Sequence, residues 1–292
     1  MCRRRALRYA TKTYSQGEER MQEMFNLRDK IVVITGGTGV LGSELSRGLA
    51  RAGAKVAVLG RDAAKRDGVV SGIRQDQGEA IGVLCDVLNR DDLIRAREEV
   101  VARYGTIDIL VNGAGGNSKP ATTSPDLSFF DLSEGDLDWV LRLNFMGTLL
   151  PTQIFGQVFA EKKAGVILNI SSMASLQPLT NVVGYGAAKA AVNNLTQWLA
   201  VHFSKHYSTN IRVNAMAPGF FLTQQNRLLL TEEKTGELTD RGRTILEHTP
   251  MGRFGEPSDL VGTAIWLVSD ASRFVTGTVV AVDGGFSAFS GV

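Results

Sequence analysis

The chain is expected to fold as an α/β protein, with one doubly wound parallel sheet of about seven strands and helices on both faces. Three observations predict this. Short apolar runs rich in β-branched residues recur along the chain, at 31–35, 55–59, 80–85, 107–111, 165–170, 211–216 and about 276–282. Segments of helical spacing separate them, and strands alternating with helices build parallel sheets. Several runs end in glycine-rich or small-residue turns, where backbone can approach a ligand at the carboxyl ends of the strands.

Taken in order, Ile31-Val-Val-Ile-Thr35 is a continuous β-branched run and so a buried strand. Gly36-Gly-Thr-Gly-Val-Leu-Gly42 follows, then a helix through Leu45, Leu49 and Ala52 that ends at Gly53. The second strand is 55–59, followed by a polar helix to about 77 and the third strand, 80–85, which closes on Asp86-Val87. Residues 90–103 read as a helix and 107–111 as the fourth strand, closing on Asn112-Gly-Ala-Gly-Gly116. After a polar loop at 117–133 with Pro120 and Pro125, one long helix is expected from about 134 to 161. It carries Asn144 among Leu141, Leu143, Phe145 and Leu149. A buried amide needs a partner, and the spacing leaves a core hydrogen bond and an active-site relay equally open. Strand 165–170, a helix to about Tyr207 and strand 211–216 follow. The polar stretch 220–248 reads as a lid or substrate-binding region. A helix near 257–269 and a strand near 276–282 complete the sheet.

The 292 residues, 43% hydrophobic, suffice for a large core, and length allows one or two domains. The unbroken alternation argues for one, over 26–292, with a lid at about 220–250. A net charge of +2 gives no reason to expect nucleic acid as a partner. Cys2 and Cys85 are far apart, which suits a reducing, cytoplasmic setting without disulfides. No apolar run reaches membrane-spanning length. Residues 1–25 are expected to be a disordered extension. The stretch 1–20, basic and hydroxyl-bearing before Glu18, could also be an organelle-targeting segment, or lie upstream of a true start at Met21 or Met24. No metal-ligand cluster is expected. His202 and His206, four apart, read as an ordinary helix face.

The first turn carries chemistry. Gly37, Gly39 and Gly42 satisfy G-x-G-x-x-G between a strand and a helix, the dinucleotide fingerprint of the Rossmann fold. Bare backbone there can approach a pyrophosphate at the positive helix end. Strand two ends Gly60-Arg61-Asp62. An acid there would bind the ribose of NAD, and an arginine the 2′-phosphate of NADP. Arg61 tips the balance slightly to NADP, while Asp62, which could instead be a helix N-cap, keeps NAD open.

A second constellation lies around the fifth strand. Ser172 stands thirteen residues before Tyr185, and Lys189 one helical turn after it, so Tyr185 and Lys189 share a helix face. A phenol beside an ammonium is an acid–base device, since the cation favours the phenolate. The tuned hydroxyl can exchange a proton with an alcohol or carbonyl whose oxygen Ser172 would hold.

With these motifs in place, residues 27–286 resemble the short-chain dehydrogenase/reductase family. The resemblance rests on Thr35-Gly36 with Gly42, Asp86, Asn112-x-Ala114-Gly115, Asn144, Ser172, Tyr185-x-x-x-Lys189, Asn214 and Pro218-Gly219. It implies that Tyr185 is the general acid/base and that Ser172 positions the substrate oxygen. Lys189 would lower the Tyr185 pKa and bind the nicotinamide ribose, and Asn144 would anchor a relay water. The cofactor contacts it implies are Gly36, Thr38, Gly39, Val40, Leu41, Arg61, Asp86, Val87, Asn112, Ala114, Gly115, Pro218, Gly219, Phe221 and Thr223, together with Tyr185 and Lys189. Asp86 and Val87 would flank the adenine. Two departures are visible. Val40 stands where the usual T-G-x-x-x-G-x-G has its middle glycine, and Gly113 replaces the commoner asparagine. Members are often tetramers or dimers.

Within the family, Ile34–Ser43, Asn112–Asn117 with Pro120–Thr123, Pro218–Thr223 with Gln225–Arg227, and His248–Arg253 are similar to sugar-acid reductases of the D-mannonate oxidoreductase type. This implies hydride transfer between NAD(P)H and the keto group of a hexuronate such as D-fructuronate. Such a substrate needs hydroxyl partners and a cation. Asn117, Lys119, Gln225, Asn226 and Arg227 fall in the right loops, with Arg227 the first choice for the carboxylate and Arg253 an alternative lid-fixing ion pair. Other polyol, gluconate or 3-oxoacyl reductases are the rival enzymes, although a charged lid suits an acyl chain poorly. A non-catalytic dinucleotide sensor is the rival of another class.

Overall fold

A computed structural model describes residues 23–222, 230–232 and 236–291. Its seven strands form a single parallel sheet in the order β3-β2-β1-β4-β5-β6-β7. The strands are β1 Ile31–Thr35, β2 Lys55–Gly60, β3 Glu79–Leu84, β4 Ile109–Asn112, β5 Gly165–Ile170, β6 Ile211–Pro218 and β7 Val279–Val282. The order reverses between β1 and β4, which pair with Thr35 opposite Asn112. A crevice opens at such a switch point, at the carboxyl ends of the strands.

Alternation along the buried strands divides the core into two layers. Val32 and Ile34 of β1 face one layer, with Leu45 and Leu49 of α1 (Val40–Arg51), Val70 and Ile73 of α2 (Ala63–Gln75), and Leu260 and Leu267 further along the chain. Ile31 and Val33 face the other, with Leu93 and Val100 of α3 (Arg90–Tyr104) and Phe155 and Phe159 beyond β4. The doubly wound expectation is met, with helices on both faces.

The expected long helix at 134–161 is broken. It consists of α4 (Glu134–Leu141), a π-helical turn over Arg142–Met146, and α5 (Gly147–Lys162). The widened turn frees the Val140 carbonyl, and the Asn144 side chain fills the gap by donating to it at 2.8 Å. Pro151 lies inside α5, where its ring crowds the carbonyl of residue 147, at the junction with the π-turn. Beyond β5 comes the 24-residue α6 (Val183–His206). After β6 the described residues include α7 (Asp240–Glu247) and α8 (Asp259–Val268). The expected lid is thus part helical, with Leu230 and Ile245 buried. Among the described residues, no helix is long and apolar enough to cross a membrane and no group of three metal-binding side chains occurs. His202 and His206 instead join an aromatic stack with Trp198 on α6.

Candidate active site

A cavity of about 1410 Å³ runs along the carboxyl edge of the sheet. Gly36, Thr38, Gly39, Val40, Leu41, Arg61, Asp86, Val87, Ala114, Gly115, Ser172, Tyr185, Lys189, Pro218, Gly219 and Phe221 all line it. Two constellations that read separately in the sequence therefore share one space. Thr223, Gln225, Asn226 and Arg227 lie outside the described residues. Asn112 does not face the cavity. Its amide is buried, donating to Thr152 Oγ1 at 3.0 Å and Asn169 Oδ1 at 2.9 Å. Asn117 and Lys119 are exposed in the loop after β4 and do not line the cavity, and Asn117 donates to Thr122 Oγ1 at 2.8 Å.

The dinucleotide cradle fits its presumed guest on steric grounds. Gly36 has φ +63°, the left-handed region that suits glycine, and a Cβ on Gly42 would overlap the Gly36 carbonyl oxygen. Gly39 is the N-cap of α1 and carries no capping side chain, so the first amides of α1 remain available to an anion. A Cβ on Gly39 itself would meet only Gly36 O, at an ordinary 3.4 Å. Of the fingerprint glycines, then, Gly42 is required by the fold, whereas Gly39 keeps the cavity wall bare. The Gly113 departure has a similar cause: a Cβ there would come 2.8 Å from the Thr35 carbonyl oxygen. Thr35 Oγ1 accepts from the amides of Gly113 and Ala114 at 3.2 and 3.3 Å, which fixes the turn after β4 against β1.

At the end of β2, Gly60 leaves no room for the acid that would hold a ribose, because a Cβ would run into the Thr38 side chain. Asp62 is the N-cap of α2, accepting from the Lys65 amide at 3.0 Å. Its neighbour Arg61 lines the cavity, and so do Arg47 and Lys65, which the sequence reading missed.

At the other end stand Ser172, Tyr185 and Lys189. Ser172, at the end of β5, caps a short 3-10 turn by accepting from the Ala174 amide at 3.1 Å. Its own proton stays free, and the hydroxyl hydrogen-bonds the Tyr185 phenol. Lys189 is only 4% exposed; its Nζ donates to Ile170 O at 2.8 Å and lies 5.7 Å from the centroid of the Tyr185 ring. Burial pushes the ammonium down to about 8. The expected lowering of the Tyr185 pKa is not what the structure gives. Burial pushes the phenol above its usual value, and only the Ser172 bond works against this. The ammonium sits over the ring face and spends a proton on a backbone carbonyl, so it does not pull directly on the phenol oxygen.

Asn144 settles one open alternative in favour of a structural bond. The Gly116 amide donates to its Oδ1 at 3.2 Å, and its Nδ2 donates to Gly116 O at 2.7 Å. It thereby pins the glycine turn after β4 to the π-turn. A Cβ on Gly115 would fall 2.7 Å from that same Oδ1 and 3.1 Å from Lys189 Nζ. Arg253 pairs with Asp259 at the start of α8 through two contacts, 2.6 and 3.1 Å. The pair holds the Asp259 carboxyl below its usual range.

Comparison with known proteins accords with this geometry. The family described as short chain dehydrogenase matches residues 30–234. The uncharacterized oxidoreductase UxuB of Bacillus subtilis (strain 168) is 48% identical over 276 residues, covering 91% of this chain and 98% of that protein. A Haemophilus influenza protein, provisionally named a D-mannonate oxidoreductase and solved with bound NAD, is 44% identical with a TM-score of 0.86; the match covers 91% of this chain and 98% of that one. A gluconate 5-dehydrogenase from Burkholderia cenocepacia J2315, solved with NADP and tartrate, is 30% identical with a TM-score of 0.81, covering 92% and 99%. Matches that run nearly end to end, on a fold built around one dinucleotide-shaped crevice, lead to a single conclusion: the chain belongs to the short chain dehydrogenase family.

Proposed function

We propose that the protein is an NAD(P)-dependent oxidoreductase that interconverts the keto and hydroxyl forms of a sugar acid, with D-fructuronate and D-mannonate the first choice of pair. The observation that carries this reading is the meeting of Ser172, Tyr185 and Lys189 with the glycine cradle in one cavity. Sugar-acid chemistry is supported by the similarity to a protein named for D-mannonate and one named for gluconate. Residues 26–292 form the catalytic domain in this reading.

Bound NAD(P)H supplies the hydride, held by the amides of the first turn of α1 and by the bare turn at Gly113–Gly116. The protein's own part is to hold the keto oxygen and deliver a proton. Ser172, whose proton is free, donates to that oxygen; Tyr185 hands its hydroxyl proton to it as negative charge builds. Lys189, cationic below about pH 8, stabilises the phenolate left behind across the ring face. Asn144 serves by fixing Gly116. Asn117, Lys119, Gln225, Asn226 and Arg227 are the proposed substrate contacts, with Arg227 for the carboxylate. NADP is the slightly favoured cofactor, supported by Arg61 and by the Gly60–Thr38 contact that leaves no space for an acid. Assembly into dimers or tetramers belongs to the same reading, supported by Trp198 and Val201, large apolar side chains exposed on α6.

The test is oxidation of NADH and NADPH in parallel with D-fructuronate, D-tagaturonate and 5-keto-D-gluconate. Turnover is expected with at least one and should fall by about 10³-fold or more in Tyr185→Phe, with cofactor affinity retained. Silence towards all three would overturn the substrate class. An unchanged rate in Tyr185→Phe would overturn the mechanism.

A further inference from the structure

Asn193 lies four residues after Lys189 and eight after Tyr185, on the same face of α6. Its amide is engaged at both ends. Ser171 Oγ donates to Asn193 Oδ1 at 2.6 Å, and Asn193 Nδ2 donates to Ser175 Oγ at 2.7 Å. Ser175 Oγ in turn donates to the backbone carbonyl of Ser172 at 2.5 Å. Each hydroxyl has a single proton, and these bonds use both. The 3.0 Å approach of the two serine oxygens is therefore a by-product of the arrangement. The proton count also fixes the amide's orientation. Were it reversed, Ser175 would have to give its proton to Asn193, and the Ser172 carbonyl would lose its donor.

These bonds close a loop between two elements that otherwise meet here through packing and the bond from Lys189 to Ile170 O. One is the end of β5, which carries Ser172. The other is α6, which carries Tyr185 and Lys189. The distance from Ser172 to Tyr185 thus depends on how the segment Ser171–Ser175 is held against α6. Neither Ser175 nor Asn193 lines the cavity.

We propose that Asn193, with Ser171 and Ser175, is a positioning clamp that sets Ser172 at its working distance from Tyr185. It touches neither substrate nor cofactor and acts through Ser172. The inference rests on the proposed roles of Ser172 and Tyr185.

The experiment is a double-mutant cycle on the full-length protein, measuring kcat, KM and cofactor affinity for wild type, Asn193→Ala, Ser172→Ala and the pair. Asn193→Ala should lower kcat by about 10–100-fold, as misplacement by about an ångström does, with cofactor affinity changed less than twofold. In the Ser172→Ala background the same change should cost less than twofold. Ser175→Ala, which removes one hydroxyl and leaves the helix untouched, should reproduce the loss should Asn193→Ala fold poorly, and Ser175→Thr should restore most of the rate. A readout independent of turnover is the titration of Tyr185, followed by carbon-13 NMR of ring-labelled tyrosine and assigned with Tyr185→Phe. Because the Ser172 bond lowers the Tyr185 pKa, the titration should move upward in Asn193→Ala but not move further in the pair beyond Ser172→Ala alone. An equal loss of kcat in both backgrounds, or an unmoved titration, overturns the clamp. Collapse in Tyr185→Phe with full activity in both Asn193→Ala and Ser175→Ala would sink this inference alone, whereas full activity in Tyr185→Phe would sink the catalytic reading beneath it.

Discussion

Lys189 should be a residue the fold would be better without. It is buried, and its titration is moved from 10.5 to about 8 by desolvation alone. A tenfold change in proton affinity is worth about 1.4 kcal/mol, so keeping the ammonium charged at pH 7 costs the native state roughly 3 kcal/mol. Replacing it by methionine, which fills a similar volume without a charge, removes that cost. The change also forfeits the bond to Ile170 O, a loss of about 1 kcal/mol. The variant should therefore be more stable by about 2 kcal/mol, or roughly 5 °C in Tm for a chain of this size. Its turnover should fall by orders of magnitude. The pH dependence gives the sign. Below about pH 8 the lysine is protonated in both states, and the native state bears the full cost. Between about 8 and 10.5 the native state releases its proton while the unfolded chain keeps it, so wild-type stability rises with pH. The advantage of Lys189→Met should thus be full at pH 7 and fade towards pH 10. Thermal unfolding of both proteins at pH 7, 8.5 and 10 measures it. A variant less stable than wild type at pH 7, or a gap that does not close with pH, would refute the reasoning.

Three further outcomes are expected. Gly42→Ala should lose about 2–3 kcal/mol in denaturant unfolding because its methyl overlaps Gly36 O, whereas Gly39→Ala should keep wild-type stability and lose dinucleotide affinity by titration. Arg61→Ala should cut kcat/KM for NADPH by about 10–100-fold, the worth of a charge-assisted contact to phosphate, with NADH altered less than threefold; equal losses for both would remove Arg61 from the 2′-phosphate. Cys85, buried and pushed up to about 12 by desolvation first and then by Asp92 and Asp86, should resist a thiol reagent at pH 8 in the native protein, as read by mass spectrometry of the modified peptide, and react once urea unfolds it.

The fold was legible because buried parallel strands are continuous apolar runs, and all seven sit where the runs placed them to within about three residues. The cradle was legible because it is local: strand, glycine turn and helix follow one another along 31–51. What escaped was set by contacts distant in sequence. The break at Arg142–Met146 hardly alters the apolar spacing on either side, so one helix was expected where two meet. The desolvation that raises Tyr185 comes from the closed fold around it, while sequence shows only that a lysine is four residues away. Asp62 could be a cap or a ribose ligand until its bond to the Lys65 amide placed it. Asn112 drew attention as part of a turn motif, yet its side chain turns inward to Thr152 and Asn169, forty and fifty-seven residues on. Asn193 went unread because a polar residue on a helix needs no explanation by itself; its spacing from Tyr185 and Lys189 was the only available signal.

The π-turn at Arg142–Met146 makes the site sensitive to the counting of residues along one helix. Such a turn accommodates one residue more than an α-helix would over the same length. Deleting a single residue there would let α4 and α5 fuse into a regular helix, each following side chain rotated by roughly 100°. Asn144 would swing away from Gly116, and α5 could keep Phe155 and Phe159 in the core only by turning as a body. A one-residue deletion would thus spare every group proposed to touch substrate and still dismantle the floor of the cavity, whereas the same deletion in the exposed loop 117–133 would be absorbed by the loop. The reading frame of this helix, as much as its chemistry, is what keeps the glycine turn after β4 in place.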